Sequence, residues 1–418
     1  MIQTYKIMLP AQWEPHMQQT YIGSQPIYKN DLSIFAYQLL FRGNGDNTAS
    51  FTDGDKATSD VILNSLTDIG LDKLVGNHKA CINFTRNFIL GEYPIPGLKR
   101  HIIIEIQHDV ILDKVVIEAL HQLSDKGYTL AIPEAIFLQH FTTPSEQIFI
   151  VKFNITQDLN EQLESRLELL RGDNIRLLAE KIETHRDFTI CSEMEFDYYQ
   201  GFFFCQPNIV KGRGIPASKV QLIRLLQKLQ DENTASKEID QLISADVSLS
   251  YRLLRYANSS MFGLNTRIES IQHAVSLLGW DAIRMIATLL VLSSIDDKPP
   301  ELFHVGLLRA KLCEHLSTYD KRLDKNMAFT AGLLSIIDAL LDAPMDEVLA
   351  QLPLNQKLTQ ALLSQEGELG AILHDSIAYI HNRPDEAIQS GMGGVLLREG
   401  YLKALIWSNA MLPAIQTH

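Results

Sequence analysis

The chain has 418 residues, 46% of them hydrophobic, with a formal net charge of −13 and a pI near 5.5. That length suits two ordinary domains, and the apolar fraction is that of packed cores rather than of disorder. The acidic balance argues against a nucleic-acid-binding surface. No window approaches 18 uninterrupted apolar residues, and the best candidate, Ala282–Ile295, contains Arg284, so no membrane span is expected. The four cysteines, Cys81, Cys191, Cys205 and Cys313, are far apart and form no Cys-x-x-Cys pair, which fits a reducing compartment and excludes a cysteine zinc site. Met1–Pro15 lacks the basic and then apolar regions of a secretion signal. The expectation is a soluble cytoplasmic protein.

Short β-branched and aromatic runs alternate with helical patterns from Tyr21 to Phe204. The runs are Tyr21–Tyr28, Ile34–Arg42, Lys79–Phe84, His101–Ile106, Tyr128–Ile132, Ile148–Phe153, Ile175–Ile182 and Gly201–Phe204. From the third onward most begin roughly 20–27 residues apart, the length of one strand and one crossover helix. Helices fit between them, as at Asp113–Lys126 and Leu159–Leu170. The alternation predicts a (β/α)8-type barrel, with an open parallel sheet as the alternative.

The pattern changes at the turn-rich stretch from Gln206 to Pro216. The reading is a barrel over residues 1–207, a linker over 208–217 and an all-helical domain over 218–418. Ser218 and Ser236 are expected helix N-caps. Leu222, Leu225, Leu226 and Leu229 share one helix face, and so do Ile271, Ala274, Val275 and Leu278, which stop at Gly279. Ile283, Ile286, Ala287 and Leu290 repeat that spacing. Further helices are expected over Pro300–Ser317, Asn326–Leu341 and Gly367–His381.

A barrel of this type works at the C-terminal ends of its strands. The polar residues that interrupt or end the runs are Gln38 and Arg42, Asn83, Glu105, Glu134, Lys152 with Asn154, Glu180 with Glu183, and Gln200. They come from different strands and could converge on one mouth. Gln38 stands mid-strand in an apolar run, so it faces either a polar cavity or partners that satisfy its amide.

Over about residues 20–207 these positions resemble the EAL domain, the cyclic di-GMP phosphodiesterase fold. Gln25-Pro26-Ile27 is similar to the family's opening Gln-Pro-Ile. Tyr37-Gln38-Leu39-Leu40-Phe41-Arg42 lies where the family has Glu-Ala-Leu and its arginine. Asn83, Glu105 in Ile104-Glu105-Ile106, Lys152 in Val151-Lys152-Phe153-Asn154, Ala179-Glu180-Lys181-Ile182-Glu183-Thr184 and Gln200-Gly201-Phe202 with Pro207 follow in the family's order.

The departures from that pattern are specific. Active members resemble two-metal hydrolases, in which clustered carboxylates hold Mg²⁺ or Mn²⁺. Here the motif glutamate is Gln38, the adjacent Asp-Asp pair is Pro133-Glu134, the Phe-Gly-x-Gly loop after it is Ala135-Ile136-Phe137-Leu138, and the aspartate after the lysine motif is Asn154. The resemblance therefore implies no catalytic residues and no resident metal. If one ion binds, Glu105, Glu134 and Glu180 would hold it. It also implies a vestigial cyclic di-GMP site over Gln25, Gln38, Arg42, Asn83, Lys152 and Gln200, with Arg42 suited to a phosphate.

In the second half, Asp246–Ser260, with its Asn258-Ser259 motif, Ile268–Gly279 and Ala331–Leu334 resemble the HDOD domain, a helical relative of the HD phosphohydrolases. An HD enzyme carries a His-Asp pair after Gly-Leu-Leu to bind metal. Here Gly332-Leu333-Leu334 is followed by Ser335-Ile336. His374-Asp375 is a chance dipeptide, and His304, His315 and His381 read as surface or core groups. The two resemblances together imply a bacterial EAL–HDOD signalling protein without catalysis. It would act in a cyclic di-GMP-related pathway through protein partners of its HDOD domain, with no membrane and no nucleic acid. The alternatives are a sensor that binds cyclic di-GMP without hydrolysis and a weak phosphodiesterase that uses Mg²⁺ or Mn²⁺.

Overall fold

The structure, a computed structural model, describes residues 20–43, 62, 70–95, 99–106, 110, 112–141, 149–158, 163–172, 174–208, 217–231, 234–258, 267–295 and 297–416. These fall into two compact units, residues 20–206 with 380–382, and residues 207–379 with 383–416.

In the first unit eight strands close in sequence order into a barrel, so the sheet is not open. They are β1 (Thr20–Lys29), β2 (Ile34–Gly43), β3 (Lys79–Asn83), β4 (Ile102–Glu105), β5 (Thr129–Pro133), β6 (Phe149–Asn154), β7 (Ile175–Ile182) and β8 (Tyr198–Gly201). β2 to β8 run parallel, whereas β1 is antiparallel to both its neighbours. The reason is local. Only a tight turn separates β1 from β2, too short for a crossover helix. Asp31 holds that turn by accepting from the Ser33 amide at 2.9 Å and the Ser33 hydroxyl at 2.6 Å, and Leu32 sits at φ 60°.

Alternate residues of a strand face the barrel axis. Ile27, Ala36, Cys81, Ile103, Ala131, Ile150 and Leu178 supply one buried interior cluster. Crossover helices cover the outside. Lys114–Asp125 is capped by Asp113, which accepts from the Val116 amide. The expected last strand, Gly201–Phe204, is displaced. The strand is Tyr198–Gly201, and Phe203–Cys205 is a 3-10 turn whose aromatic rings pack edge-on against Tyr28. An aromatic run serves either state, and here tertiary packing decides. Gly201 is required where it stands: a Cβ there would lie 1.9 Å from the Ile182 carbonyl oxygen. That close approach accompanies an irregular β7–β8 register, with Lys181 at φ 60°.

The second unit is helical among its described residues. Pro300–Ser317 is its central helix and is buried along nearly its whole length. Asp246 and Ser270 cap the helices Val247–Ala257 and Ile271–Leu278 by accepting amide hydrogens from Leu249 and His273. The two serine caps expected earlier are not caps. Ser218 lies within the helix Ala217–Gln230, and Ser236 is the first residue of Ser236–Ala245, which is preceded by Ala235. The expected single helix over Asn326–Leu341 is two, Lys325–Leu334 and Ile337–Leu341. The break falls at Ser335-Ile336, where the Ser335 hydroxyl turns back to donate to the Gly332 carbonyl at 2.7 Å.

Candidate functional site

The expected mouth residues stand in a simple relation to the interior cluster. Gln38, Asn83, Glu105, Lys152 and Glu180 each lie two residues beyond a cluster member, Ala36, Cys81, Ile103, Ile150 and Leu178. On the reversed strand β1, Gln25 lies two residues before Ile27. A period of two keeps one face, so the polar residues form the next interior layer, above a floor of hydrocarbon.

Within that layer the groups form one chain of hydrogen bonds. Gln200 donates through Nε2 to Gln38 Oε1 at 2.7 Å and to Gln25 Oε1 at 3.3 Å. Gln38 donates through Nε2 to Glu105 Oε2 at 2.6 Å. The Cys81 thiol donates to the same oxygen at 3.5 Å. Lys152 Nζ donates to Glu105 Oε1 and, at 2.9 Å, to Glu180 Oε1. Gln38, Glu105, Lys152 and Gln200 are buried. Of the two readings of Gln38, the satisfied amide is the one observed: its oxygen accepts and its nitrogen donates.

Burial alone would discharge Lys152. The Glu105 and Glu180 carboxylates outweigh it and hold the ammonium charged, above the usual lysine range. Burial, and then the Glu105 charge, push the Cys81 thiol well up, so it remains a protonated donor.

Three expected residues behave differently. Glu134 does not join Glu105 and Glu180. It stands an odd number of residues past Ala131 and opens the helix Glu134–His140, so its side chain leaves the interior face. Arg166, from the helix Leu163–Leu170, grips it with two bonds, Nε to Oε1 at 2.8 Å and Nη2 to Oε2 at 2.6 Å. Asn83, in register with Glu105, keeps a buried Oδ1 with no hydrogen-bond partner. Arg42 lies in β2, but its side chain is outside the described residues. Of the flanking positions, Glu183 is exposed, and Asn154 accepts from the Thr156 hydroxyl at 2.7 Å.

Sequence reasoning missed Arg166 and Cys81. Cys81 was legible as the inward residue two before Asn83. Arg166 gave no signal, because it reaches the strand ends from a crossover helix.

The donor set does not fit a two-ion centre. Hard divalent cations need several anionic or carbonyl oxygens turned toward one point. Here an amide N–H points at Glu105, an ammonium lies between Glu105 and Glu180, and Glu134 is drawn to Arg166. Among the described residues no three acids, histidines or cysteines form a group able to hold a metal ion.

In the helical unit, Asn258 secures its own motif. Its side chain accepts from the Ile268 amide at 2.7 Å and donates to the Ile268 carbonyl at 2.8 Å. Where an HD enzyme has its metal-binding pair, the Ser335 hydroxyl accepts from Arg309 at 3.1 Å, and Ile336 packs so close to Gly306 that a Cβ there would lie 2.5 Å from Ile336 Cδ1. Asp375 is fully buried and accepts from the Gln389 and Ser390 amides, which explains it as a loop anchor. His304 is a satisfied core group, 2.9 Å from both Glu301 Oε1 and Ser408 Oγ.

The HDOD domain model matches residues 215–379. The cyclic di-GMP phosphodiesterase CdgJ of Vibrio cholerae serotype O1 is 30% identical over 366 residues, covering 86% of this chain and 85% of that protein. The chain is an EAL–HDOD protein. The uncharacterized protein YuxH of Bacillus subtilis (strain 168) is 29% identical to this EAL–HDOD protein over 95% of the chain and 100% of its own length. A cyclic di-GMP-bound standalone EAL protein from Vibrio cholerae O395 is 22% identical over 46% of the chain and 92% of its own, with a TM-score of 0.32. An EAL domain protein of Listeria monocytogenes EGD-e is 14% identical over 49% and 92%, with a TM-score of 0.33. Its family relates this EAL–HDOD protein to cyclic di-GMP signalling.

Proposed function

We propose that this EAL–HDOD protein is a regulator in a cyclic di-GMP-related pathway that does not hydrolyse the dinucleotide. It acts in the cytoplasm through protein contacts of its barrel and its helical unit. The observation that carries this reading is the Gln38 amide, which donates to Glu105 where an active relative of the family pattern would present a second carboxylate to metal. Water activated by two metal ions is the chemistry such a phosphodiester hydrolase uses, and an amide N–H turned toward the remaining carboxylate works against it. Pro133, in register with Lys152, adds no ligand.

The test is incubation of the purified chain with cyclic di-GMP and Mg²⁺ or Mn²⁺, followed by separation of the nucleotides. The expected result is unchanged substrate. Turnover that disappears in Glu105→Ala would overturn the reading and favour a phosphodiesterase, the activity named for the Vibrio cholerae relative.

A second reading, binding without cleavage, draws support from the unpartnered Asn83 Oδ1 and the half-buried Gln25, which leave polar atoms for a ligand. Calorimetry with cyclic di-GMP, with and without metal, separates it: heat in either buffer supports a sensor, and none removes it.

A further inference from the structure

We infer that the end of the barrel opposite its polar layer carries a docking site for an acidic protein segment, anchored by one large apolar side chain. The inference rests on the reading that this protein acts through protein contacts. It gives the barrel's contact a place and a chemistry.

The site joins an apolar cavity to a basic ridge. The cavity, about 270 Å³, lies between the helices Arg86–Ile89 and Lys114–Asp125. Phe88, Ile89, Leu90, Ile95, Ala119 and Leu123 line it, and Lys126 and Tyr128 complete its wall. That volume falls below the ~300–1,000 Å³ of small-molecule sites and suits a single large side chain. A hydrocarbon wall selects an apolar one.

Lys126 links the cavity to the ridge. Lys99 Nζ donates to the Lys126 carbonyl oxygen at 2.7 Å and lies 5.6 Å from the centroid of the Tyr128 ring. Arg100 and His101 follow Lys99, and the register pair Ala80↔Ile102 sets Lys79 beside His101 on neighbouring strands. Lys99, Arg100, His101 and Lys126 are exposed. Asp125 and Glu92 are the acids on these segments. Among the described residues none of Lys79, Lys99, Arg100 and Lys126 pairs with a carboxylate. The starting ends of β7 and β8 differ, because there the cations are matched: Arg171 pairs with Glu195 at 2.6 Å and Arg176 with Asp197 at 3.7 Å.

An unmatched basic ridge on a chain of net charge −13 calls for an acidic complement. Nucleic acid fits less well, since so few cations neutralise few phosphates and the acidic balance of the chain repels the rest. A lipid surface also fits less well, because the apolar groups are recessed. Phe88, Ile89 and Leu123 are buried, and the exposed Val115 stands at the far end of its helix from Lys126.

The experiment selects peptides from a random phage-displayed library on the full chain and measures the enriched peptides by fluorescence anisotropy. The expected result is a consensus of acidic residues around a Trp, Phe or Leu, with binding that weakens in salt. Lys99→Glu and Lys126→Glu should each weaken it at least tenfold at low salt. Ala119→Trp, which fills the cavity, should abolish it, and Lys321→Glu in the helical unit should leave it unchanged. Lys126 is exposed, so Lys126→Glu decides the matter if Ala119→Trp does not melt cooperatively. Failure to enrich any peptide overturns the inference, as does a consensus without acids or binding that ignores Lys126→Glu. Phosphatidylglycerol vesicles or poly-uridine RNA bound through Lys126, with no acidic peptide enriched, would replace the protein segment by a membrane or an RNA. Self-association in sedimentation that Lys126→Glu abolishes would make the occupant a second copy and end the proposal. None of these outcomes bears on the nucleotide assay, so cyclic di-GMP turnover defeats the non-hydrolysing reading separately.

Discussion

The strand ends of the barrel and the turn at Ser335 in the helical unit are held in opposite ways. The barrel mouth keeps its buried carboxylates and balances them with Lys152 and Arg166. The helical unit has Ser335 and Ile336 after Gly332-Leu333-Leu334, packed tightly, with Ile336 against Gly306 and Gly332 against the backbone of Arg309 and Ala310. One is organised by charge, the other by shape. Organisation by shape is held by packing and is indifferent to pH and salt. Organisation by charge depends on each partner, because breaking a buried ion pair leaves an uncompensated charge behind.

The largest expected effect tests the charge side. Lys152→Met leaves Glu105 and Glu180 without their cation and should cost about 3–5 kcal/mol, read from urea unfolding. Lys152 has its affinity for the proton raised on folding, so its contribution is fully present below the usual lysine pKa and declines only as pH rises beyond it. A loss under 1 kcal/mol at neutral pH would erase the contrast between the two sites. Next is the shape side. Ile336→Ala opens a cavity in the helical core and should cost about 2–4 kcal/mol, with the same value at low and high salt. A strong salt dependence there would show that charge matters in both units.

A smaller effect is expected from Gln38→Glu, about 1–3 kcal/mol at neutral pH. It replaces the 2.6 Å amide–carboxylate bond by two facing acids that must share a proton or separate. The variant should lose stability as pH rises through the carboxylate range and should not hydrolyse cyclic di-GMP, since Pro133 still supplies no ligand and Asn154 still stands after the lysine motif. Turnover in a nucleotide assay would mean that one amide was the whole difference.

The smallest effect is a change of slope. Burial, with Lys403 and Lys311 nearby, lowers His315 in the helical unit from the usual 6.5 to about 4. Between those values the unfolded chain takes up a proton that the folded chain refuses, so stability falls as pH drops from about 6.5 toward about 4. His315→Phe should flatten that acid limb. An unchanged limb would move its origin elsewhere in the chain.

Much of the barrel was readable because its strands alternate and its polar interruptions fall two residues past apolar interior positions. The sequence showed Gln38, Asn83, Glu105, Lys152 and Glu180 as polar breaks able to converge on one mouth, and the structure sets each two residues past a member of the interior cluster. Glu134 differs: it sits at an odd offset, where a strand end becomes a helix start, and pairs with Arg166. Arg166 was invisible, since nothing in a helical pattern says that one arginine reaches back to a strand end. In the helical unit the apolar periodicity survived, but capping did not follow from serine alone. Asp246 and Ser270 cap their helices, while Ser236 begins one. The break at Ser335 depends on a hydroxyl turning back to its own helix, a choice made by packing and not by propensity.

The antiparallel first strand has a consequence for how the chain is made. β1 is closed on its far side by β8, in the register pairs Tyr28↔Tyr199 and Lys29↔Tyr198. Partners so distant in sequence meet late, since loop closure must come before the contact rewards it. During synthesis the barrel therefore stays an open sheet, with the edges of β1 and β7 exposed, until the segment around Gly201 has left the ribosome. The seam of the barrel is the last of its joints to form, and a ribosome that stalls before Tyr198 leaves a nascent chain ready to pair with its neighbours.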